Sequence, residues 1–268
     1  MSTNSSIPDN TKLYRIIPLE RFLQMLTDKN NVLVRPFLWE DPWENQIVNL
    51  TKKSFLVADN TSIKCDVSIS QGWYGQCWSC CAESDALWRA YTNSGLNRSV
   101  KIETTYKQLN DSLKLAKGDD PTAKFYLNYV EYPKNYLERF EKVQNKHLEK
   151  LIKKGYDNDT SRMLAALLTK RYAYKFEEEI RLLVHTESNF EYVSKEIYAY
   201  TIDISSMINS LELDPWTPYE CAEGIIEVIK HPGFRNFEKW DVNISRSSLY
   251  DDVSSDMMKK MKIFEYGK

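Results

Sequence analysis

The chain alternates short apolar runs with amphipathic segments, and that alternation sets the order of its elements. "KLYRII" reads as a strand, and Pro18 then opens the helical pattern "PLERFLQMLTDK", in which Leu19, Phe22, Leu23 and Leu26 share one face. "NVLVRP" predicts a second strand, stopped by Pro36. "GQCWSCC" predicts a short buried strand, and "ESDALWRAYTNSG" a helix capped by Ser84, lined by Leu87, Trp88 and Tyr91, and ended by Gly95. "SVKIET" returns as a strand. From about Thr105 to Lys175 helix dominates, with "KFYLNYVEY" as a strand before the helical runs "YLERFEKVQNKHLEKLIKKG" and "TSRMLAALLTKRYAY". "EIYAYTID" and "IIEVIKHP" predict further strands, and "VNISRSSLYDD" an extended segment. Strands at the beginning, middle and end with helices between them predict one α+β or α/β domain. Its expected extent is residues 13–268, with a helical insertion around 105–175, after a disordered polar tail over residues 1–12.

Composition narrows the partners. Of the 268 residues, 42% are hydrophobic and 28% charged, which is ordinary for a globular chain, but 7 Trp and 17 Tyr favour a binding surface. The net charge of -2 supplies no global basic field to attract nucleic acid or anionic membrane. "MSTNSSIPDNTK" carries no secretory pattern and no apolar run reaches eighteen residues, so a cytoplasmic protein without a membrane partner is expected. Five cysteines, an odd number, then read as reduced thiols.

Charge placement raises the chemical question. "YKFEEEIRLLVHT" sets three glutamates and an arginine against an apolar run. As a strand it puts Glu177, Glu179 and Arg181 on one face and Glu178, Ile180 and Leu182 on the other. As a continuing helix it makes Glu177 and Arg181 an i,i+4 pair worth about 0.2–0.5 kcal/mol, with no chemical role. Arg15, beside Tyr14 among apolar strand residues, must either meet a carboxylate or face a cleft and receive an anion such as phosphate. "WEDPWEN" reads as a ligand lid with Trp39 and Trp43 as stacking surfaces, or as a loop anchored by its own aromatics. "CWSCC" has no second cysteine pair, Cys65 and Cys221 stand alone, and the three histidines are scattered, so buried thiols are expected and no metal site. Eight glycines and the absence of a Gly-rich loop exclude a dinucleotide fold of the GxGxxG type.

In order, "LYRI", "VLVRPFLWEDPWEN", "CWSC", "LWRAYTNSGLNRSVKIE" and "YKFEEEIRLL" resemble the successive motifs of a bacterial family labelled domain of unknown function 2971. Tyr174 stands where that family usually carries Trp, and Trp78 where Phe is common. The layout is also similar to the ADP-ribosyltransferase fold, which implies an α+β domain with a small split mixed or antiparallel sheet flanked by helices, clasping NAD as substrate.

That resemblance implies a transferase, a toxin or defence effector, that moves ADP-ribose from NAD to a macromolecular acceptor, protein or nucleic acid, or hydrolyses NAD. Cleavage of the nicotinamide–ribose bond develops oxocarbenium character, which a carboxylate beside the sugar stabilises. Glu179 takes that role and Glu177 orients the acceptor. Arg15, with Tyr14, holds a pyrophosphate oxygen, Ser79 supports the edge carrying Glu179, and Trp39 or Tyr91 stacks on nicotinamide or adenine. Arg181 keeps the carboxylates ionised. The rival reading is a non-catalytic nucleotide- or partner-binding module in a bacterial defence or regulatory system, in which these charges form a buried ionic network.

Overall fold

The computed structural model describes residues 7–44, 72–92, 98–139, 141–142, 160–186, 195–231 and 240–251. Nine strands among them share one mixed sheet: β1 (Lys12–Pro18), β2 (Asn30–Val34), β3 (Trp73–Ser79), β4 (Ser99–Thr105), β5 (Lys124–Tyr129), β6 (Glu179–His185), β7 (Ile197–Thr201), β8 (Ser210–Leu213) and β9 (Asn243–Arg246). The main path runs β5-β6-β3-β1-β4-β8-β9, while β2 pairs with β3 and β7 off that path. The β8–β9 pair is parallel and the other pairs are antiparallel. The α+β class and the split are as expected, although nine strands make the sheet larger than the small one anticipated.

The split lies along β3. Its far end meets β1 through one pairing, Tyr14 with Ser79, and its middle meets β2 through one pairing, Val34 with Gly75. Beyond those points the two branches part. By contrast β3 and β6 pair along seven residues, from Trp73 with His185 to Ser79 with Glu179. β6 is buried on both faces: Ile180, Leu182 and Val184 enter the main core, while Leu183 packs with Trp73, Met163, Ala166 and Leu167. A strand covered on two sides reads as a continuous apolar run, which is how "EIRLLVH" looks.

Six helices accompany the sheet among the described residues: α1 (Leu19–Asp28), α2 (Asp85–Tyr91), α3 (Tyr106–Asp119), α4 (Thr160–Leu167), α5 (Ile204–Met207) and α6 (Tyr219–Lys230). α1 buries Phe22, Met25 and Leu26 and ends on Lys29 in the left-handed region at φ 52°. The Ser84 hydroxyl caps α2 by accepting from the Leu87 amide, as its position suggested. α3, which the sequence reading covered as part of a helix-rich region without singling it out, starts with a capping box between Thr105 and Gln108.

Two expectations need correction. "IIEVIKHP" is not a strand, because its isoleucines belong to α6, where Ala222 and Ile229 are buried and Ile225 and Ile226 pack on the core. Their spacing fits one helical face, and β-branched content alone misleads there. The described part of the expected tail is fastened to the fold: Ile7 is buried, and the Tyr106 and Lys107 amides donate to the Thr11 and Asp9 carbonyls. Gly95 and most of the run from Tyr136 lie outside the described residues. No described helix is long and apolar enough to cross a membrane.

Candidate active site

The gap in the sheet is a cavity of about 280 Å³. Arg15 to Pro18 of β1, Val32 and Val34 of β2, and Gly75 to Ser79 of β3 form its walls, and Tyr91 on α2, Trp39, Glu177 and Glu179 also line it. Gly75 is required there. A Cβ at that position would stand 2.5 Å from the Trp39 ring and 2.9 Å from the Leu183 side chain. Trp39 can therefore lie across β3 only because the backbone beneath it is bare.

One wall is acidic and fully paired. A 3-10 helical turn, Tyr172–Glu177, ends at Glu178, whose left-handed backbone at φ 44° starts β6 at Glu179. That turn brings Glu177 and Glu179 together, 4% and 2% exposed. Glu179 and Arg181 alternate on one face of β6 as the strand reading had them, but Glu177 belongs to the helical turn before the strand, not to the strand itself. Arg181 is 0% exposed: its Nε donates to Glu179 Oε2 at 2.9 Å, Nη2 to Glu44 Oε1 at 2.9 Å, and Nη1 to the Leu167 carbonyl at 2.6 Å. The last bond satisfies a terminal carbonyl of α4, where a cation also suits the helix dipole. The Trp39 ring covers the guanidinium at 4.5 Å.

Lys170 completes the network. Its ammonium lies 2.5 Å from Glu177 Oε2, 3.1 Å from Glu179 Oε1 and 3.4 Å from Glu44 Oε1. Three carboxyls thus face two cations in a buried space, which favours retention of one proton. Burial and the neighbouring Glu179 push the Glu177 carboxyl up to about 8. Burial also opposes ionisation of Glu179, but Arg181 and Lys170 outweigh it and hold that group down to about 2. Near neutral pH Glu177 carries the proton and Glu179 is a carboxylate.

The facing wall is different. Arg15 is half-buried and lines the cavity, and its guanidinium makes no hydrogen bond or ion pair among the described residues. Burial lowers its guanidinium to about 10, which still leaves it charged at neutral pH. Tyr14, its neighbour, is buried on the same wall at the β1–β3 contact. Ser79 donates to the Glu177 carbonyl at 2.6 Å and accepts from the Cys81 amide at 2.9 Å, so it braces the acidic turn. Tyr91 borders the cavity at 40% exposure.

The Arg181 guanidinium lies behind the Trp39 ring and is not among the groups that line the cavity. Trp43 serves as an anchor: its ring meets Tyr136 edge-on at 5.8 Å, and Arg171, bound to Asp41, lies over it at 5.5 Å. Cys77, Cys80, Cys81 and Cys221 are free thiols, and burial pushes Cys77 up. No group of His, Cys, Asp and Glu among the described residues could hold a metal. Sequence reasoning missed Lys170 and Glu44. "TKRY" and the acids of "WEDPWEN" were the available signals, but nothing in linear spacing joins residues 126 positions apart, the difference between 170 and 44.

No family model matches the chain, so the family likeness of its motifs stays a resemblance, and no curated protein matches it. Among solved structures it is similar to Thermus sp. 2.9 DarT in complex with carba-NAD+, at 9% identity and a TM-score of 0.37, covering 90% of this chain and 97% of that one. The same protein in complex with NAD+ and with ADP-ribosylated ssDNA matches at 10% identity and a TM-score of 0.37, covering 90% of this chain and 98% and 95% of those chains.

Proposed function

We infer that the cavity takes NAD as substrate and cleaves its nicotinamide–ribose bond, passing ADP-ribose to a macromolecular acceptor. One observation carries this reading: the charged guanidinium of Arg15, unpartnered among the described residues, and an ionised carboxylate, Glu179, line the same aromatic-walled cavity. At the lower end of small-molecule sites, about 300–1,000 Å³, the cavity encloses part of a dinucleotide. Arg15 receives a pyrophosphate oxygen through charge-assisted hydrogen bonds, and Trp39 or Tyr91 offers a ring for nicotinamide or adenine. The C–N bonding pair leaves with nicotinamide, and the Glu179 carboxylate stabilises the positive charge left on the ribose. The acceptor's nucleophilic atom, oriented by the Glu177 carboxyl, forms the new bond to the ribose carbon, and its proton passes to water.

The test incubates adenine-labelled NAD with the protein and with candidate proteins, RNA and DNA, following free nicotinamide and labelled product. Wild type releases nicotinamide, and Glu179→Gln lowers the rate by about 10²–10³, the usual loss when a preorganised electrostatic stabiliser is removed. A second reading, binding without cleavage, is favoured by the engagement of Glu179 Oε2 with Arg181 at 2% exposure of the residue. NAD binding by calorimetry with no nicotinamide released selects that reading. Neither binding nor release eliminates both.

A further inference from the structure

Lys170 is placed by backbone bonds, not by the acids around it. It follows the C-terminal end of α4, its amide donates to the Glu131 carbonyl at 3.0 Å, and the Glu131 amide donates to the Leu168 carbonyl at 2.8 Å. Thr169 and Glu131 form an isolated parallel bridge. One residue on, the Tyr132 hydroxyl accepts the Glu179 amide at 3.0 Å. The segment carrying the cation and the segment supporting the acid are thus tied together directly behind the cavity. The ammonium, with Lys170 only 7% exposed, then reaches carboxylates from two separate pieces of chain: Glu44 from the loop bearing Trp39, and Glu177 and Glu179 from the acidic turn and β6. The adjacent Arg171 grips the same loop through both oxygens of Asp41, at 3.1 and 2.8 Å.

We propose that Lys170 is a positioning residue: its ammonium binds the Trp39 loop to the acidic turn and fixes the Glu179 carboxylate at the cavity wall. The catalytic part of this rests on reading the site as one that cleaves NAD. Geometry makes the assignment specific. Arg181 reaches Glu44 and Glu179 from β6 itself, whereas Lys170 alone among the described cations contacts Glu177. The other titratable groups facing the network are the phenols of Tyr174, Tyr132, Tyr136 and Tyr91 and the Cys77 thiol, and none of these supplies positive charge. A residue that only filled space here could be replaced by an uncharged chain of equal length.

Lys170→Met is that replacement, and Lys170→Arg keeps the charge. Lys170→Met is expected to lower kcat for nicotinamide release about a hundredfold while KM for NAD stays within about threefold, and Lys170→Arg to restore most of the rate. A filler residue would change thermal stability without that split. An independent readout is the carboxyl ¹³C titration of Glu177 and Glu179, assigned with the Gln variants: both midpoints rise in Lys170→Met. Should that variant not fold, Glu44→Gln leaves two carboxyls facing two cations, and the Glu177 midpoint falls. Unchanged kcat in Lys170→Met, or carboxyl midpoints that stay put in Lys170→Met and Glu44→Gln, overturns the assignment. Wild type that releases no nicotinamide sinks the cleavage reading instead, and the carboxyl titrations then decide the role of Lys170 by themselves.

Discussion

On the wall built by β6 and the turn before it, the buried charges satisfy one another, whereas on the β1 wall Arg15 faces the cavity with no partner among the described residues. Burying charge is costly on both walls, yet the costs are met differently. The acidic wall offsets desolvation internally, through Arg181 and Lys170. The β1 wall leaves its desolvation uncompensated. An unpaired guanidinium of that kind contributes nothing to folding and is ready for an anion, so the first wall reads as preorganised machinery and the second as a recognition point.

The contrast can be broken most forcefully at Arg181. Arg181→Met removes one of the two buried cations that pair with Glu179 and Glu44 and is expected to cost about 3–5 kcal/mol, measured by urea unfolding; a loss below about 1 kcal/mol would mean that water already screens the network. Arg15→Gln should do the reverse. It weakens NAD binding by about tenfold to a hundredfold, from the loss of about 1.5–3 kcal/mol of charge-assisted bonding, while stability is unchanged or rises. Destabilisation with unaltered affinity would make Arg15 structural and erase the difference between the walls.

The pH dependence of stability sharpens the assignment of the proton. The Glu177 carboxyl lies near 4.5 as a free group and at about 8 in the fold, so the folded state holds its proton more tightly. Its stabilisation is then complete below about pH 4.5 and declines as pH rises toward 8. Glu179, depressed to about 2, acts in the opposite sense and loses its contribution as pH falls below 4.5. Glu177→Gln should flatten the decline between pH 5 and 8, read from unfolding midpoints across that range. A wild-type profile that rises over the same window would place the proton elsewhere.

Much of the sheet was legible in the sequence because strand periodicity is local: "KLYRII", "NVLVRP", "SVKIET" and "EIYAYTID" each fall on an observed strand. The alternation of Glu179 and Arg181 was readable for the same reason. β8 was not read, since "SLEL" is too short to carry a period, and α3 was not singled out within its helix-rich region, since its inner face includes Ser112 beside Leu109, Leu113 and Ala116. α6 was misread because isoleucine content outweighed spacing.

By itself the sequence determined the α+β class, the strands that hold Arg15 and Glu179, and the presence of more acid and base near one apolar run than a core tolerates unpaired. Only the tertiary structure decided which charges meet. Pairing depends on distances between segments far apart in the chain, and the register of β1, β3 and β6 sets Tyr14, Ser79 and Glu179 in one row while leaving Arg15 over a gap. Spacing along the chain carries no information about that register, and so none about which guanidinium is paired and which is free.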